Sequence, residues 1–349
     1  MKDLKKQGLS NQKAIRFLIT LCLFIAVLMV FFALNQAFLS SGNIISLLRE
    51  SAIAGIIAVG MTFVIITGGI DLSVGSNLAL TAMLCANLLR YTDTPMIASV
   101  ALSILCGTAC GFLNGLAISK LKLPDFIVTL ATMNIYRGLT KMISRNDLES
   151  LSNSMILDEG FRSLGGKFLG IYIVIWVFFI LVLVGHLLLN HTRQGRYVFA
   201  IGSNARSAIL SGINFEKTKI LVYTFTGLMT AIAGVMICAR MMTATTVTGD
   251  GMEFTVIAGV VLGGTSLTGG RGSVIGSFLG VLMITMISSG ITQMGLPSSY
   301  QYIIKGVIIL LAMLFDGWFV RKFSHTVSTA SLKEATQTHT TSEGGDSNG

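Results

Sequence analysis

Residues 67–76, Thr67-Gly68-Gly69-Ile70-Asp71-Leu72-Ser73-Val74-Gly75-Ser76, place a carboxylate and three glycines between two long apolar runs, 52–66 and 77–89. A carboxylate that faces lipid is costly, so an ionisable group in such a place marks a functional site. Gly68, Gly69 and Gly75 let the backbone bend. A bent backbone at membrane depth must be buried in protein or line a wet cavity, and interrupted helices are typical of transport pathways. The spacing fits a second reading equally well, in which the turn sits at the membrane surface with Asp71 in water.

The rest of the chain supports a membrane setting. Of 349 residues, 52% are hydrophobic and 12% charged, against about 25% charged in soluble domains. The expected fold class is therefore an all-α polytopic membrane protein. The formal charge of +9 does not point to nucleic acid, because the basic residues sit at the ends of apolar runs, as membrane topology requires. Cys22, Cys85, Cys106, Cys110 and Cys238 all lie in apolar segments without metal-ligand spacing. They read as small packing residues. Neither a metal nor a cofactor is expected.

A spanning helix needs about 20 mainly apolar residues. On that measure about ten spans run near 17–39, 52–66, 72–89, 97–118, 126–143, 168–189, 219–241, 254–267, 272–292 and 302–320. The first is too long for the apolar core of a signal peptide, about 7–15 residues, so it is read as a retained span behind a cytoplasmic N-terminus, 1–16. Lys120, Lys122, Arg193, Arg196, Arg206, Lys217, Lys219, Arg271, Arg321 and Lys322 fall in even-numbered loops or after the last span. That pattern puts both termini in the cytoplasm. Arg137, Lys141, Arg145 and Arg240 are exceptions, on the outer side. The loop 144–167, with Asp147, Glu149, Asp158 and Glu159, reads as external. The transmembrane domain spans 17–322, and the polar segment 323–349 reads as a disordered cytoplasmic tail.

Glycine recurs at four-residue spacing in Gly107, Gly111 and Gly115, and again in Gly272, Gly276 and Gly280. Such stripes let helix backbones approach closely, inside a bundle or across a dimer; internal packing is the commoner use. The chain is also weakly self-similar. Gly68-Gly69-Ile70-Asp71-Leu72 with Gly75-Ser76 resembles Gly263-Gly264-Thr265-Ser266-Leu267 with Gly272-Ser273, the second copy holding two extra residues.

The polar stretch 191–219 contains a candidate short helix. Ser203 or Asn204 can cap its start, and Gly212 can end it with positive φ. Ala205, Ala208 and Ile209 fall on one face, which suits a groove in another protein or the headgroup layer.

Residues 67–76 and 261–273 together resemble the permease subunits of bacterial sugar ATP-binding-cassette importers of the ribose and galactoside type. The segment 202–212 resembles the loop that such permeases insert into their ATPase. Pro124-Asp125-Phe126-Ile127-Val128-Thr129-Leu130 with Arg137-Gly138, and Tyr302-Ile303-Ile304-Lys305-Gly306, add to the likeness, which runs over 43–316. Arg206 and Ser207 stand where the family more often has an acidic residue and alanine. The resemblance implies a permease in the bacterial cytoplasmic membrane. Its partners would be an ABC ATPase subunit, a periplasmic sugar-binding protein and a second permease chain, identical or homologous. In that reading Gly68, Gly69, Asp71, Ser73, Gly75, Gly263, Gly264 and Gly270 belong to the translocation path and its hinges. Gly202, Ser203, Asn204, Ala205, Ala208, Ser211 and Gly212 couple to the ATPase. Asp71 either hydrogen-bonds sugar hydroxyls or braces the bend; bracing is favoured, because an importer fed by a binding protein needs no tight membrane site.

This chain lacks a phosphate loop of the G-x-x-x-x-G-K-[ST] kind, since Gly165-Gly166-Lys167 runs into Phe168. ATP would therefore be used by the partner, and no catalytic residue is expected. A rival reading, an ion-coupled secondary transporter, calls for an intramembrane relay of ionisable groups, and Asp71 stands nearly alone. An intramembrane aspartyl protease would need paired carboxylates, and only Glu50 offers itself as a second.

Overall fold

In lipid a chain satisfies its backbone by closing hydrogen bonds within each segment, and this one is helical almost throughout. The computed structural model describes residues 2–144, 154–155, 158–297, 299–311 and 314. Arg145, Asp147, Glu149, Asp316, Arg321, Lys322 and the tail 323–349 lie outside them. In chain order the helices are α1 (Lys2–Leu34), α2 (Ser41–Ile66), α3 (Val74–Tyr91), α4 (Met96–Lys120), α5 (Asp125–Ile143) and α6 (Glu159–Leu164). Then come α7 (Ile173–His191), α8 (Arg193–Ser203), α9 (Ala205–Leu210), α10 (Phe215–Met241), α11 (Met252–Leu262) and α12 (Val274–Gln293), followed by α13 (Ser299–Leu311). Five of them (α2, α4, α7, α10 and α12) are long and apolar enough to cross a membrane. The chain is an all-α, multi-pass membrane protein.

Several predicted boundaries shift for local reasons. The first span ends at Leu34, because the Asn35 side chain accepts the Ala37 N–H at 3.0 Å and starts a 3₁₀ turn, Gln36–Leu39. Phe38 in that turn is buried and stacks on Phe31 at 5.3 Å. α2 begins at Ser41 rather than at 52, since Ser40 caps it through the Asn43 N–H. Its first turns carry Asn43, Arg49 and Glu50, which a hydropathy reading excludes. The sixth span starts at Ile173, not 168. Before it, Lys167–Phe168 pairs antiparallel with Ile171–Tyr172. Leu169 and Gly170 form the turn with φ of 51° and 81°, the signature of a type I′ hairpin.

α2 is the axis of the bundle. Every residue from 51 to 67 is buried, against α7, α10, α11 and α12. Both glycine stripes are spent on internal packing. A side chain at Gly107 would strike Thr81 and Ala231, and one at Gly111 the backbone of Tyr223 and Gly227. At Gly115 it would meet Ile220, so α4 lies directly on α10. The second stripe sets α12 on α11 and on the end of α2: Gly276 faces Gly263, Gly280 faces Gly259 and Gly272 faces Ile66. Without a hydrophobic drive between helices in lipid, such close approach and its dispersion contacts hold the bundle together. The outward faces are apolar, as on α7, where Phe179, Ile180, Leu183 and Leu187 are exposed.

This packing sets an expectation for stability. Gly111→Val forces a Cβ into the α10 backbone and should cost about 1–3 kcal/mol or more, read as a fall of several degrees in the melting temperature of the detergent-purified protein. Gly138→Ala, on an open face of α5 with nothing within 4 Å, should leave it unchanged or slightly raised.

Candidate functional site

The break at 67–73 lies near one end of the bundle, called here the proximal end, where α4 stops and α5, α9 and α10 begin. Its glycines have distinct work. Gly68 takes φ +74°; its N–H bonds the Ile65 carbonyl at 2.9 Å and the next N–H, of Gly69, bonds Val64 at 3.0 Å. This is the Schellman ending of a helix, which needs a residue without a Cβ penalty at the left-handed position. Asp71 is 2% exposed, so it does not stand in water at a surface. Its Oδ1 accepts the Ser73 N–H at 2.9 Å and the Ser73 hydroxyl at 2.6 Å, fixing the start of α3. Ser73 in turn accepts from Asn114 at 2.8 Å, and Tyr136 donates to Asn114 Oδ1 at 3.2 Å. Asp71 thus bonds within the bend through Oδ1. Asn114 lies six residues before the end of α4 at Lys120, so the turn is sunk by about 9 Å at the helical rise of ~1.5 Å per residue.

The second break repeats the first in a register one residue different from the one expected. Gly264, with φ +86°, is the counterpart of Gly68. Its N–H reaches Val261 at 2.9 Å, and that of Thr265 reaches Val260 at 3.2 Å. The Gly-Ser pairs do not correspond: Gly75-Ser76 lies inside α3, whereas Ser273 caps α12 through the Gly276 N–H. The true match is Ser73-Val74 with Ser273-Val274, each opening a helix, so the second copy is four residues longer between its left-handed glycine and its helix.

The two breaks touch. Gly270 donates its N–H to the Ile66 carbonyl at 2.8 Å, and Gly269 packs on the amide of Gly68. Gly202, in the last turn of α8, abuts the same Ile66 carbonyl so closely that any side chain would overlap it, and Ser203 lies on Gly270. The segment expected to couple therefore leaves the bundle from the junction of both breaks. Asn204 caps α9 by accepting the Ser207 N–H at 2.9 Å. Ser211 donates to the Ser207 carbonyl. Gly212 closes α9 at φ +83°, with the Ile213 N–H on Ala208 at 3.1 Å, a third Schellman ending. The expected single face of Ala205, Ala208 and Ile209 divides: Ala208 is buried at 4%, Ala205 is half-buried, and Ile209 and Leu210 are exposed at 53% and 83%. Between α9 and the α4–α5 turn opens a groove of about 770 Å³, lined by Ile118, Lys122, Leu123, Asp125, Ile209 and Phe215.

Sequence reasoning missed the groups that hold the first break from outside. Lys219, read as a loop cation, is 3% exposed. Its ammonium meets Asp125 Oδ2 at 2.6 Å, and the Tyr223 hydroxyl donates to the same oxygen at 2.8 Å. That cluster seats the turn. Gly69 lies against Asp125 and Tyr223 with no space for a Cβ, and Thr129 donates to the Ile70 carbonyl at 3.1 Å. Nor is Asp71 the one buried acid, since Glu253, at the start of α11, is 6% exposed. The available signals were Asp125 directly after Pro124 and Lys219 inside a helical apolar pattern. Breaking a buried pair by removing one partner costs about 3–5 kcal/mol. Lys219→Met should therefore lower thermal stability sharply, and Asp125→Asn in the same chain should restore most of it.

Known proteins place the chain. The family described as "Branched-chain amino acid transport system / permease component" matches residues 43–313. The ribose import permease protein RbsC of Bacillus subtilis is 43% identical over 296 residues, 84% of this chain and 90% of its own. RbsC of Escherichia coli K12 is 38% identical over 312 residues, 89% and 95% of the two chains. The xylose transport system permease protein XylH of Haemophilus influenzae is 34% identical over 84% of this chain and 94% of its own. No solved structure matches. With most of its length aligned to such proteins, this chain belongs to the family of branched-chain amino acid transport system permease components.

Proposed function

We propose that the chain is the membrane-spanning permease of an ATP-driven importer of a monosaccharide or related polyol. The observation that carries this reading is similarity, over 80–84% of this chain, to permeases named for ribose, arabinose and xylose. In it, α1–α5, α7 and α10–α13 enter or cross the bacterial cytoplasmic membrane as ten segments with both termini inside. The proximal end faces the cytoplasm, consistent with the cations Lys120, Lys122, Arg193, Arg196, Arg206 and Lys217 near it. A periplasmic binding protein delivers the sugar to the far end, and a second permease chain completes the conduit. The path and hinge role falls to Gly68, Gly69, Asp71, Ser73, Gly75, Gly263, Gly264 and Gly270.

Coupling to a separate ABC ATPase falls to 202–212. The exposed Ile209 and Leu210, with the exposed Leu121 beside the neighbouring groove, offer the apolar anchors that helix-in-groove docking uses. What supports transmission is the seat of α8: Gly202 and Ser203 rest on Ile66 and Gly270, so a push on α9 acts on both breaks together.

Two measurements test this. In cells carrying the cognate binding protein and ATPase, radiolabelled ribose, arabinose and xylose are offered in turn; uptake of at least one should depend on this chain and persist when the proton gradient is collapsed. Uptake that vanishes with the gradient while ATP is held constant would favour the ion-coupled rival. Replacing 202–212 by a flexible linker of equal length should leave the protein in the membrane and reduce uptake at least tenfold; uptake at the parent rate would remove the coupling role.

A further inference from the structure

Between α10 and α11 the backbone is irregular. Residues 245–251 run as a series of turns, with Thr248 N–H on Thr245, Asp250 N–H on Val247 and Met252 N–H on Gly249. Met242, Gly249 and Gly251 take positive φ. The segment starts where Thr243–Ala244 pairs with Ser154–Met155, at the end of the bundle opposite the proximal one, and dips inward. At its deepest point Gly249 packs on the Gly75 carbonyl in the first turn of α3, two residues past Ser73, whose level lies about 9 Å in from the end of α4. α11 then runs only 11 residues, Met252–Leu262, to the proximal end, about 16 Å or half a bilayer core.

Arg137 of α5 straps this segment in place. Its Nη1 donates to the Thr246 carbonyl at 2.7 Å and to the Thr248 carbonyl at 3.0 Å, and its Nη2 faces Asp250 at 3.7 Å. The guanidinium is mostly covered, with 19% of the side chain exposed, while the Asp250 side chain is 73% exposed. Glu253 is buried against Gly75, and the Tyr302 ring lies on Gly251, itself 61% exposed. The outward faces of α4 and α7 differ. The exposed side chains of α4 between Ile97 and Leu116, and of α7 between Trp176 and Leu188, are all apolar. A carboxylate left open at this depth is excluded from hydrocarbon by several kcal/mol on insertion scales. An irregular backbone here likewise requires protein or water beside it.

We infer that the dipping segment 245–251, strapped by Arg137 and carrying Asp250 into the open, forms a wet station of the solute path that hydrogen-bonds a neutral polyhydroxylated solute. The inference rests on the sugar-permease reading for the identity of that solute. The chemistry fits: the Asp250 carboxylate accepts from vicinal hydroxyls. Tyr302 adds an exposed ring and hydroxyl beside it. The Arg137 strap keeps the carbonyls of Thr246 and Thr248 satisfied, so solute can leave without exposing orphan acceptors. Binding through one open carboxylate is weak, as a conduit needs.

The test uses the full permease with its ATPase in membrane vesicles, and a membrane-impermeant, negatively charged thiosulfonate reagent. Labelling is measured for Asp250→Cys and Val247→Cys, corrected for the parent chain, with Leu105→Cys on the lipid-type face of α4 as control. Both station variants should react at least tenfold faster than the control. In Val247→Cys, which keeps the Asp250 carboxylate, ribose, arabinose or xylose at 100 mM should slow that reaction at least twofold, while 100 mM valine should not. Reaction of either variant as slow as the control, or fast reaction of Val247→Cys that none of the three sugars alters, or its protection by valine alone, would overturn the station. Sugar uptake in cells reports on the permease reading separately: chain-dependent uptake together with an inert Asp250→Cys would sink the station and leave the permease standing. Should Asp250→Cys fail to accumulate, Val247→Cys carries the same comparison.

Discussion

The carbonyl of Ile66 is the point on which the proximal end turns. It belongs to the last residue of α2, where a helix leaves acceptors without internal partners, and burial makes an unpaired one costly. The partner comes from the other break, as the Gly270 N–H at 2.8 Å. That single bond obliges α2, the strand-like approach to α12 and the end of α8 to meet in one place. They can do so only because Gly202, Gly269, Gly270 and Gly272 bring no side chains into the contact. The junction is rigid in the sense that matters for force: none of the three segments can slide without opening a buried hydrogen bond or overlapping a backbone.

The Asp125–Lys219 pair has a different physical character. A buried pair is weak evidence of stability, since replacing both partners by apolar groups is often neutral while removing one is not. What it does here is specify. Asp125 opens α5, Lys219 and Tyr223 lie in the first turns of α10, and all three converge beneath Gly69 and Ile70. The sunken turn is held from below by charge and from the side by the Asp71–Ser73–Asn114–Tyr136 chain. Asp71 Oδ1 accepts both of its bonds from Ser73 within its own loop.

Much of this was legible because it is local. The left-handed Gly212, the cap at Asn204 and the close-packing stripes follow from residue type and spacing over a few positions. The rest was illegible for a physical reason. Lys219 and Asp125 are 94 residues apart, and each alone looks like an ordinary membrane-edge charge. The repeat register was misread because Gly-Gly and Gly-Ser are matched by letter, whereas the backbone matches the one glycine that takes positive φ. The early start of α2 was hidden by polar residues that a hydropathy ruler discards, although helices project beyond hydrocarbon routinely. The dip at 245–251 carries no periodicity at all, and only its neighbours reveal its depth.

The placement of α3 draws these parts together. Its first residues are gripped at Ser73 by Asp71 and Asn114, and two residues later Gly75 bears on Gly249 and Glu253. The turn that would receive motion from the coupling segment, and the segment that would meet the solute, therefore share one helical turn of one element. A long relay through side chains is unnecessary. A tilt of the start of α3 that is small at Ser73 acts directly on the backbone contact at Gly249, where no side chain lies between to absorb it. In a bundle with many glycine-on-backbone contacts, the turn at 67–73 and the dip at 245–251 are two of the segments where the backbone is not fixed by an internal helical ladder.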